Sequence, residues 1–236
     1  MSHCLLCDEE LSFQVSWRYV FGLEREALLC ARCEAKLEKI KGGERCVTCD
    51  RPLQNYPYQL EGTCYDCIRW EQSEEWRGVL TCNRSCFVYN LFMKEVIARW
   101  KYRSDAILAK IFQAAIKEVY ERSFQSNVIV PIPLTTSRLL ARGFNQSLLL
   151  SETISNPLDI LIRTDDESKQ SKKSRRARLL KKQPFKIRQE YKKIVQDADI
   201  ILVDDIYTTG TTARLAAKVL REAGANSVSS LTAIRG

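Results

Sequence analysis

The sequence predicts an α/β domain with a mainly parallel sheet, preceded by a small metal-binding module. Eight of the ten cysteines lie in the first 70 residues, in pairs of the form C-x-x-C. Beyond them, apolar strand-like segments alternate with helical segments. One of these segments combines a buried strand, two acids, a loop rich in threonine, and a helix. These observations divide the chain into a module at 1–70 and an α/β domain at 71–236.

The N-terminal module contains four cysteine pairs, namely Cys4/Cys7, Cys30/Cys33, Cys46/Cys49 and Cys64/Cys67. A C-x-x-C pair directs two thiolates at one tetrahedral ion, and two pairs complete a four-cysteine zinc site. Twenty-two residues separate the first two pairs and fourteen separate the last two, which predicts a double zinc ribbon with two structural zinc ions. Pairing of neighbours is the simpler topology, and an interleaved arrangement stays open. Redox-active pairs are the competing interpretation, which four pairs in tandem disfavour.

The composition is that of a globular protein without membrane insertion. Hydrophobic residues make up 45% of the chain, no stretch reaches the apolar length of a membrane span, and the N-terminus lacks an apolar signal core. Ten cysteines in such a chain favour metal binding in the cytoplasm over disulfides. The single histidine, His3, lies beside a predicted ligand, which disfavours a nucleophilic triad. Cys82 and Cys86 are expected to be small buried residues.

The elements of the α/β domain follow from periodicity. Phe87–Tyr89 predicts a short strand, and the next apolar residues recur at helical spacing as a stripe facing the core, namely Met93, Val96, Ile97 and Trp100. A second helix is predicted at 107–120. The apolar run at 127–134 predicts a strand that prolines terminate. With a further strand at 158–162, this alternation predicts a parallel sheet.

The segment from Ile200 to Thr212 has the strongest functional signal. Four aliphatic residues predict a strand buried on both faces, and Asp204 and Asp205 follow at its end. The next hydroxyl residues surround Gly210 and lead into a helix-forming segment, an arrangement that directs backbone N–H groups and a helix dipole at a phosphate. Carboxylates at the rim can accept hydrogen bonds from vicinal hydroxyls, and a phosphate beside a diol is a ribose 5-phosphate.

Two other interpretations of this segment compete with a ribose-phosphate site. One is an ordinary buried strand capped by acids and threonines. The other is a Walker B element, which requires a partner loop of the form G-x-x-x-x-G-K-[ST], and the chain contains none.

The segment resembles the ribose-phosphate motif of type I phosphoribosyltransferases: four aliphatics, two acids, an aliphatic, any residue, then Thr-Thr-Gly-x-Thr. The resemblance implies that the acids hold the ribose hydroxyls of phosphoribosyl diphosphate, that the loop cradles its 5-phosphate, and that Mg²⁺ accompanies the diphosphate. The residues so implied are Asp204, Asp205, Tyr207, Thr208, Thr209, Gly210, Thr211 and Thr212. In related transferases the loop after the first sheet strand holds pyrophosphate, and Pro133, Leu134 and Thr135 occupy that place.

Two more motifs narrow the resemblance to one family. Pro131–Leu134 and Arg142–Gln146, together with the cysteine module and the segment above, resemble the ComF family of competence proteins. The resemblance implies an accessory protein of DNA uptake in natural transformation. Such a protein would bind phosphoribosyl diphosphate with Mg²⁺ and contact single-stranded DNA or a helicase-like partner. The alternative is an active phosphoribosyltransferase that transfers the sugar to a nucleobase or another acceptor.

A basic segment lies within the loop predicted at 165–193. Between residues 169 and 193, twelve lysines and arginines accompany a single acid, Glu190. This segment resembles the flexible loop that closes over the diphosphate in phosphoribosyltransferases, and Gln170 and Arg178 match its motif. The other charges suit a DNA backbone, with Lys172, Lys173, Arg175 and Arg176 as candidate contacts and Phe185 and Tyr191 as candidates for base stacking. A solvated loop is the competing interpretation.

Overall fold

The computed structural model of the protein describes residues 2–11, 27–54, 56–103, 105–125, 128–164 and 183–236. In these ranges the strands are β1 (Ser2–His3), β2 (Glu10–Leu11), β3 (Gln59–Leu60), β4 (Thr63–Cys64), β5 (Asn83–Val88), β6 (Val128–Pro131), β7 (Leu161–Arg163), β8 (Phe185–Ile187), β9 (Asp199–Tyr207) and β10 (Ser227–Arg235). The α-helices are α1 (Ala31–Ala35), α2 (Tyr65–Gln72), α3 (Leu91–Tyr102), α4 (Ala109–Ser123), α5 (Thr136–Arg142), α6 (Gln146–Ser151), α7 (Lys192–Val195) and α8 (Thr211–Glu222). Two 3₁₀ turns cover Ala106–Leu108 and Gln189–Tyr191.

A four-stranded parallel sheet in the order β5–β10–β9–β6 forms the centre of the fold. β9 lies inside this sheet, and its aliphatic residues are almost completely buried. Because side chains alternate along a strand, Ile200 and Leu202 pack on one face while Ile201 and Val203 pack on the other. The predicted α/β architecture with a parallel sheet is therefore confirmed.

Helices cover both faces of this sheet. On one face α8 packs through Ala216, Ala217 and Leu220. On the other face α3 and α4 pack together, with Trp100 stacked on Phe112 at 5.1 Å between ring centroids. The predicted stripe of α3 is buried, as its helical spacing indicated. β6 and β9 are parallel neighbours, so their carboxyl ends lie together at one end of the sheet, which is where parallel sheets bind ligands.

The N-terminal region contains two cysteine modules, which contact different parts of this core. The first module contains Cys4, Cys7, Cys30 and Cys33, and the second contains Cys46, Cys49, Cys64 and Cys67. In the first module, Cys4, Cys30 and Cys33 form a small cluster that borders α3 through Phe92. In the second, all four cysteines and Leu53 belong to the same hydrophobic core as α8 and the sheet. The second module is therefore packed against the layer that contains the predicted phosphate loop.

Two strands differ from their predicted positions. The strand expected at Phe87–Tyr89 begins earlier, as β5. The strand expected at 158–162 is the shorter β7, which pairs antiparallel with β8 instead of leading back into the central sheet. Leu158 N–H donates to the carbonyl of Ile129 in β6, but the chain then turns away, with Ile160 N–H donating to the carbonyl of Leu158, and the next residues pair with β8. The basic segment is therefore not all loop, since its residues from 185 onward form β8, the second 3₁₀ turn and the start of α7, and residues 165–182 lie outside the described ranges.

Two smaller predictions are also tested. Cys86 is buried as expected, whereas Cys82 is only partly buried and lies 3.6 Å from the hydroxyl of Ser229. Among the helices described above, none is both long enough and apolar enough to cross a membrane.

Candidate functional site

The candidate site is a shallow pocket at the carboxyl end of β9. The strand ends at Tyr207, the loop Thr208–Gly210 follows, and α8 begins at Thr211. The pocket is lined by the whole of this loop, by Asp204 and by the first turn of α8. The structure therefore brings together most of the residues predicted from the segment at 200–212.

The loop is shaped by a glycine that no other residue can replace without strain. Gly210 has φ +80°, in the left-handed region. A Cβ atom built on it would lie 2.6 Å from Tyr207 Cζ and still closer to Tyr207 Oη and Arg214 Nη1. Arg214 is fully buried and donates to Tyr207 Oη at 2.7 Å, so the loop turns tightly over this pair.

The loop offers unpaired backbone donors. Within the described ranges, no group accepts a hydrogen bond from the N–H of Thr208, Thr209 or Gly210. The first N–H groups of α8 have no intrahelical partner, and the helix dipole places positive potential at the same end. The hydroxyls of Thr209 and Thr211 lie 2.9 Å apart at its rim. This arrangement is suited to bind a tetrahedral oxyanion.

The two acids have different surroundings. Asp204 lines the pocket, and its Oδ1 accepts hydrogen bonds from Ser147 Oγ at 3.1 Å and from the N–H of Asp205 at 2.8 Å. Asp205 instead pairs with Lys101 Nζ at 2.5 Å. Burial and the charge of Asp205 raise the pKa of Asp204 to about 7, against the opposing effect of Lys101. Asp204 therefore faces the pocket, and Asp205 is held by Lys101 of α3.

The cysteines form two clusters that fit zinc. One contains Cys4, Cys7, Cys30 and Cys33 and the other Cys46, Cys49, Cys64 and Cys67, and the sulfur atoms of each cluster lie within 4.8 Å of one another. Zn–S bonds of ~2.3 Å in a tetrahedron require sulfur separations of about 3.8 Å, which these clusters approach. The predicted pairing of neighbours is confirmed, and the interleaved alternative is excluded. Both clusters consist of thiols alone, so His3 belongs to neither.

Comparison with known proteins agrees with this geometry. Residues 102–236 match the model of the phosphoribosyl transferase domain. The chain is 39% identical to competence protein ComFC of Bacillus subtilis, over 98% of this chain and 94% of that protein. It is 32% identical to competence protein ComFC of Streptococcus pneumoniae, over 98% of this chain and 99% of that protein.

The chain belongs to the ComFC family of competence proteins. It is also 28% identical to competence protein F of Haemophilus influenzae, over 84% of this chain and 93% of that protein. The resemblance stated from the motifs is thus confirmed, together with the phosphoribosyltransferase-like α/β fold and the cysteine clusters of a double zinc ribbon.

Other predicted site residues of this ComFC-family chain lie at the same edge or outside the described ranges. Pro133, Leu134 and Thr135 follow β6, the neighbour of β9, and Thr135 caps α5 by accepting from the N–H of Arg138 at 3.3 Å. The predicted loop residues outside the described ranges are Gln170, Lys172, Lys173, Arg175, Arg176 and Arg178.

The stacking prediction for Phe185 is wrong. This side chain is 2% exposed, within the core on the α8 face of the sheet, because β8 packs its apolar face inward. Tyr191 is also packed against this core, although part of it stays accessible.

Several charged and polar residues of the site were missed by the sequence analysis. Lys101, Ser147 and Arg163 come from α3, α6 and β7, and they meet the acids only in the folded chain. Burial and the nearby charge of Arg138 lower the pKa of Arg163, and Asp204 opposes this effect. The sequence pointed only to their neighbours, because Lys101 directly follows the predicted apolar stripe and Ser147 directly follows the Arg142–Gln146 motif.

Proposed function

We propose that this chain binds phosphoribosyl diphosphate with Mg²⁺ and acts as an accessory protein of DNA uptake in the cytoplasm. One observation supports this ligand above all others: three unpaired backbone N–H groups and the carboxylate of Asp204 line one pocket. The N–H groups suit a 5-phosphate, and the carboxylate suits the hydroxyls of the attached ribose. The phosphoribosyl transferase domain match covers the same residues.

The rest of the ligand has partners at the same edge. Arg163 supplies positive charge near Asp204, where a diphosphate would lie, and Arg138 lies close enough to Arg163 to add to that charge. Leu134 and Thr135 would contribute backbone N–H groups, whereas Pro133 has none, and Gln170 and Arg178 would close the site. Mg²⁺ would enter with the diphosphate, largely hydrated, and neutralise part of its charge. The ion pair of Lys101 with Asp205 keeps the second carboxylate in place beside Asp204.

Family membership supports a role in competence, and the charge distribution supports DNA as a partner. Within the basic segment, Lys186, Lys192 and Lys193 are exposed, and Arg188 pairs with Asp159 at 2.8 Å. Together with the basic residues at 172–176, these lysines would bind the backbone of single-stranded DNA. A helicase-like component of the uptake machinery is the second partner in this proposal.

Calorimetric titration of phosphoribosyl diphosphate with Mg²⁺ tests the ligand. Each charge-assisted hydrogen bond to a ribose hydroxyl contributes about 1.5–3 kcal/mol, so Asp204→Asn with Asp205→Asn should weaken binding at least tenfold. Asp199→Asn is the matched control, because Asp199 lies at the opposite end of β9 and bonds Ser227. Its affinity should equal that of the parent, and all variants should retain their zinc. Unchanged affinity in the double variant would reject the assignment.

Turnover is the alternative within the same site. A phosphoribosyl transferase would stabilise the oxocarbenium-like sugar and release pyrophosphate when an acceptor binds. The positive charge of Arg163 near Asp204 is the observation that favours it, because this charge would stabilise the leaving pyrophosphate. A pyrophosphate-release assay across the nucleobases separates the two: release with one base indicates an enzyme, and tight binding without release indicates the accessory role.

A further inference from the structure

A buried arginine connects the second cysteine module to the phosphate loop. Arg235 is the last residue of β10 and is 2% exposed. Its Nε donates to the carbonyl of Cys49 at 3.0 Å, and its Nη2 lies 3.2 Å from Cys49 Sγ. Its Nη1 donates to the carbonyls of Tyr207 and Thr208 at 3.1 and 2.9 Å. One side chain therefore joins a predicted metal ligand to the backbone of the loop.

A tryptophan makes a second connection. Trp70 lies in α2, the helix that contains Cys67, and its Nε1 donates to the carbonyl of Thr209 at 2.7 Å. The Trp70 ring lies over the guanidinium of Arg214 in α8, with 4.9 Å between the Arg214 Cζ and the ring centroid. Farther along α8, Lys218 lies 4.8 Å from the centroid of Trp76. Trp70 of α2 and Trp76 just beyond it are thus packed along α8, the helix that begins at the loop.

These contacts orient three consecutive peptide groups. In a trans peptide the C=O and N–H groups point in opposite directions. Arg235 and Trp70 hold the carbonyls of Tyr207, Thr208 and Thr209 toward the cysteine module. The N–H groups in the same peptide planes belong to the next residues, 208–210, and so face away from the module. They are the same unpaired donors that line the pocket.

We infer that the second four-cysteine site positions the phosphate loop through Arg235 and Trp70, so that metal binding there and ligand binding at the loop are coupled. This inference rests on the proposed function. Four thiolates around Zn²⁺ leave a net negative charge, which holds a guanidinium that donates to one of the sulfurs. The first module differs, because its arginines contact other groups: Arg32 Nη2 lies 4.0 Å from Cys7 Sγ and donates to Glu9, and Arg99 of α3 donates to the carbonyls of Leu5 and Leu6.

Three variants distinguish an effect on the position of the phosphate loop from an effect on the stability of the fold. Trp70→Phe removes one donor and keeps an aromatic ring beside Arg214, so it should melt within a few degrees of the parent. Its affinity for phosphoribosyl diphosphate should fall about threefold to tenfold, the value of one neutral hydrogen bond. Arg235→Lys cannot span all its acceptors and should lose about tenfold or more, because these bonds involve a charged donor. Arg99→Lys is the matched control and should stay within about twofold.

The rate of zinc release is a second measurement. A ligand would not change this rate if Arg235 and Trp70 served only to stabilise the fold. Coupling between two sites is reciprocal, so phosphoribosyl diphosphate should slow the transfer of one zinc ion to a chromogenic chelator. Cys4→Ser removes the first zinc site. The zinc ion whose release the ligand slows should remain in this variant, which assigns that ion to the second site. In Trp70→Phe the ligand should slow release less than in the parent.

The outcomes are distinct. A parent protein that does not bind phosphoribosyl diphosphate would overturn both the proposed function and the coupling. A parent that binds, with Trp70→Phe equally tight and zinc release unaffected by ligand, would overturn the coupling and leave the function standing. If Arg235→Lys does not fold, the Trp70→Phe result decides.

Discussion

Replacing Gly210 of the phosphate loop by alanine should destabilise the protein more than the same replacement of Gly143, which follows α5. Two independent costs arise at this position. The backbone is left-handed, at φ +80°, and the space for a Cβ is occupied by Tyr207 and Arg214. Gly143 separates these costs, because its φ is +79° but nothing lies within 4 Å of its Cβ position.

The magnitudes follow from these two glycines. A left-handed conformation costs an ordinary residue about 1–2 kcal/mol, which is the whole loss expected in Gly143→Ala. In Gly210→Ala the new methyl must also separate Arg214 Nη1 from Tyr207 Oη, a buried bond of 2.7 Å. A hydrogen bond to a charged group contributes about 1.5–3 kcal/mol. Gly210→Ala should therefore reduce the free energy of unfolding by about 2.5–5 kcal/mol.

Urea unfolding followed by tryptophan fluorescence measures both variants against the parent. Gly210→Ala should unfold at a lower urea concentration than Gly143→Ala, and calorimetry should show that only Gly210→Ala loses affinity for phosphoribosyl diphosphate. Equal stability of the two variants would contradict the prediction, because it would mean that a methyl group at residue 210 does not disturb the Tyr207–Arg214 pair.

Three further predictions concern pH, metal and charge. The pKa of Asp204, about 7, exceeds the unfolded aspartate value of about 3.9, so the folded protein binds the extra proton and the free energy of unfolding should fall as pH rises from about 4 to about 7. Asp204→Asn should flatten this part of the urea-unfolding profile, and an unchanged profile would contradict the assignment. Elemental analysis should find two zinc ions, with about one lost in each of Cys4→Ser and Cys46→Ser, and iron with visible absorbance would overturn this. Alanine at the four basic residues between 172 and 176 should weaken single-stranded DNA binding and flatten its salt dependence, while phosphoribosyl diphosphate affinity stays within about threefold, or ~0.6 kcal/mol. Arg178→Ala should do the reverse in the same titrations, and equal losses of both ligands in both variants would indicate one shared site.

Local patterns were sufficient for the main elements and for the loop. The aliphatic run of β9 indicated burial on both faces, and the structure confirms it at Ile200–Val203. The cysteine spacing indicated two four-cysteine sites, and the sulfur atoms meet in the predicted pairs. Both signals depend only on residues close together in the chain, where side-chain period and ligand spacing directly reflect geometry.

The placement of the strands around the basic segment was beyond such patterns. An apolar run at 158–162 does not tell whether it joins the central sheet or pairs elsewhere. Hydrogen bonds to distant partners settle it: Leu158 bonds β6, and the strand then turns away to pair with β8. The same folding buries Phe185, which the sequence alone placed among exposed stacking candidates.

The residue pattern alone placed two acids, a glycine and several threonines at the carboxyl end of a buried strand, and β9 contains both acids among its last four residues. Only the tertiary structure decided that Asp204 faces the pocket while Asp205 pairs with Lys101, and that Arg235 and Trp70 hold the loop from behind. The physical reason is distance along the chain. Lys101 and Trp70 contribute from more than a hundred residues away and Arg235 from 27, and none of them leaves a period or spacing in the sequence, because their positions follow from how the layers pack.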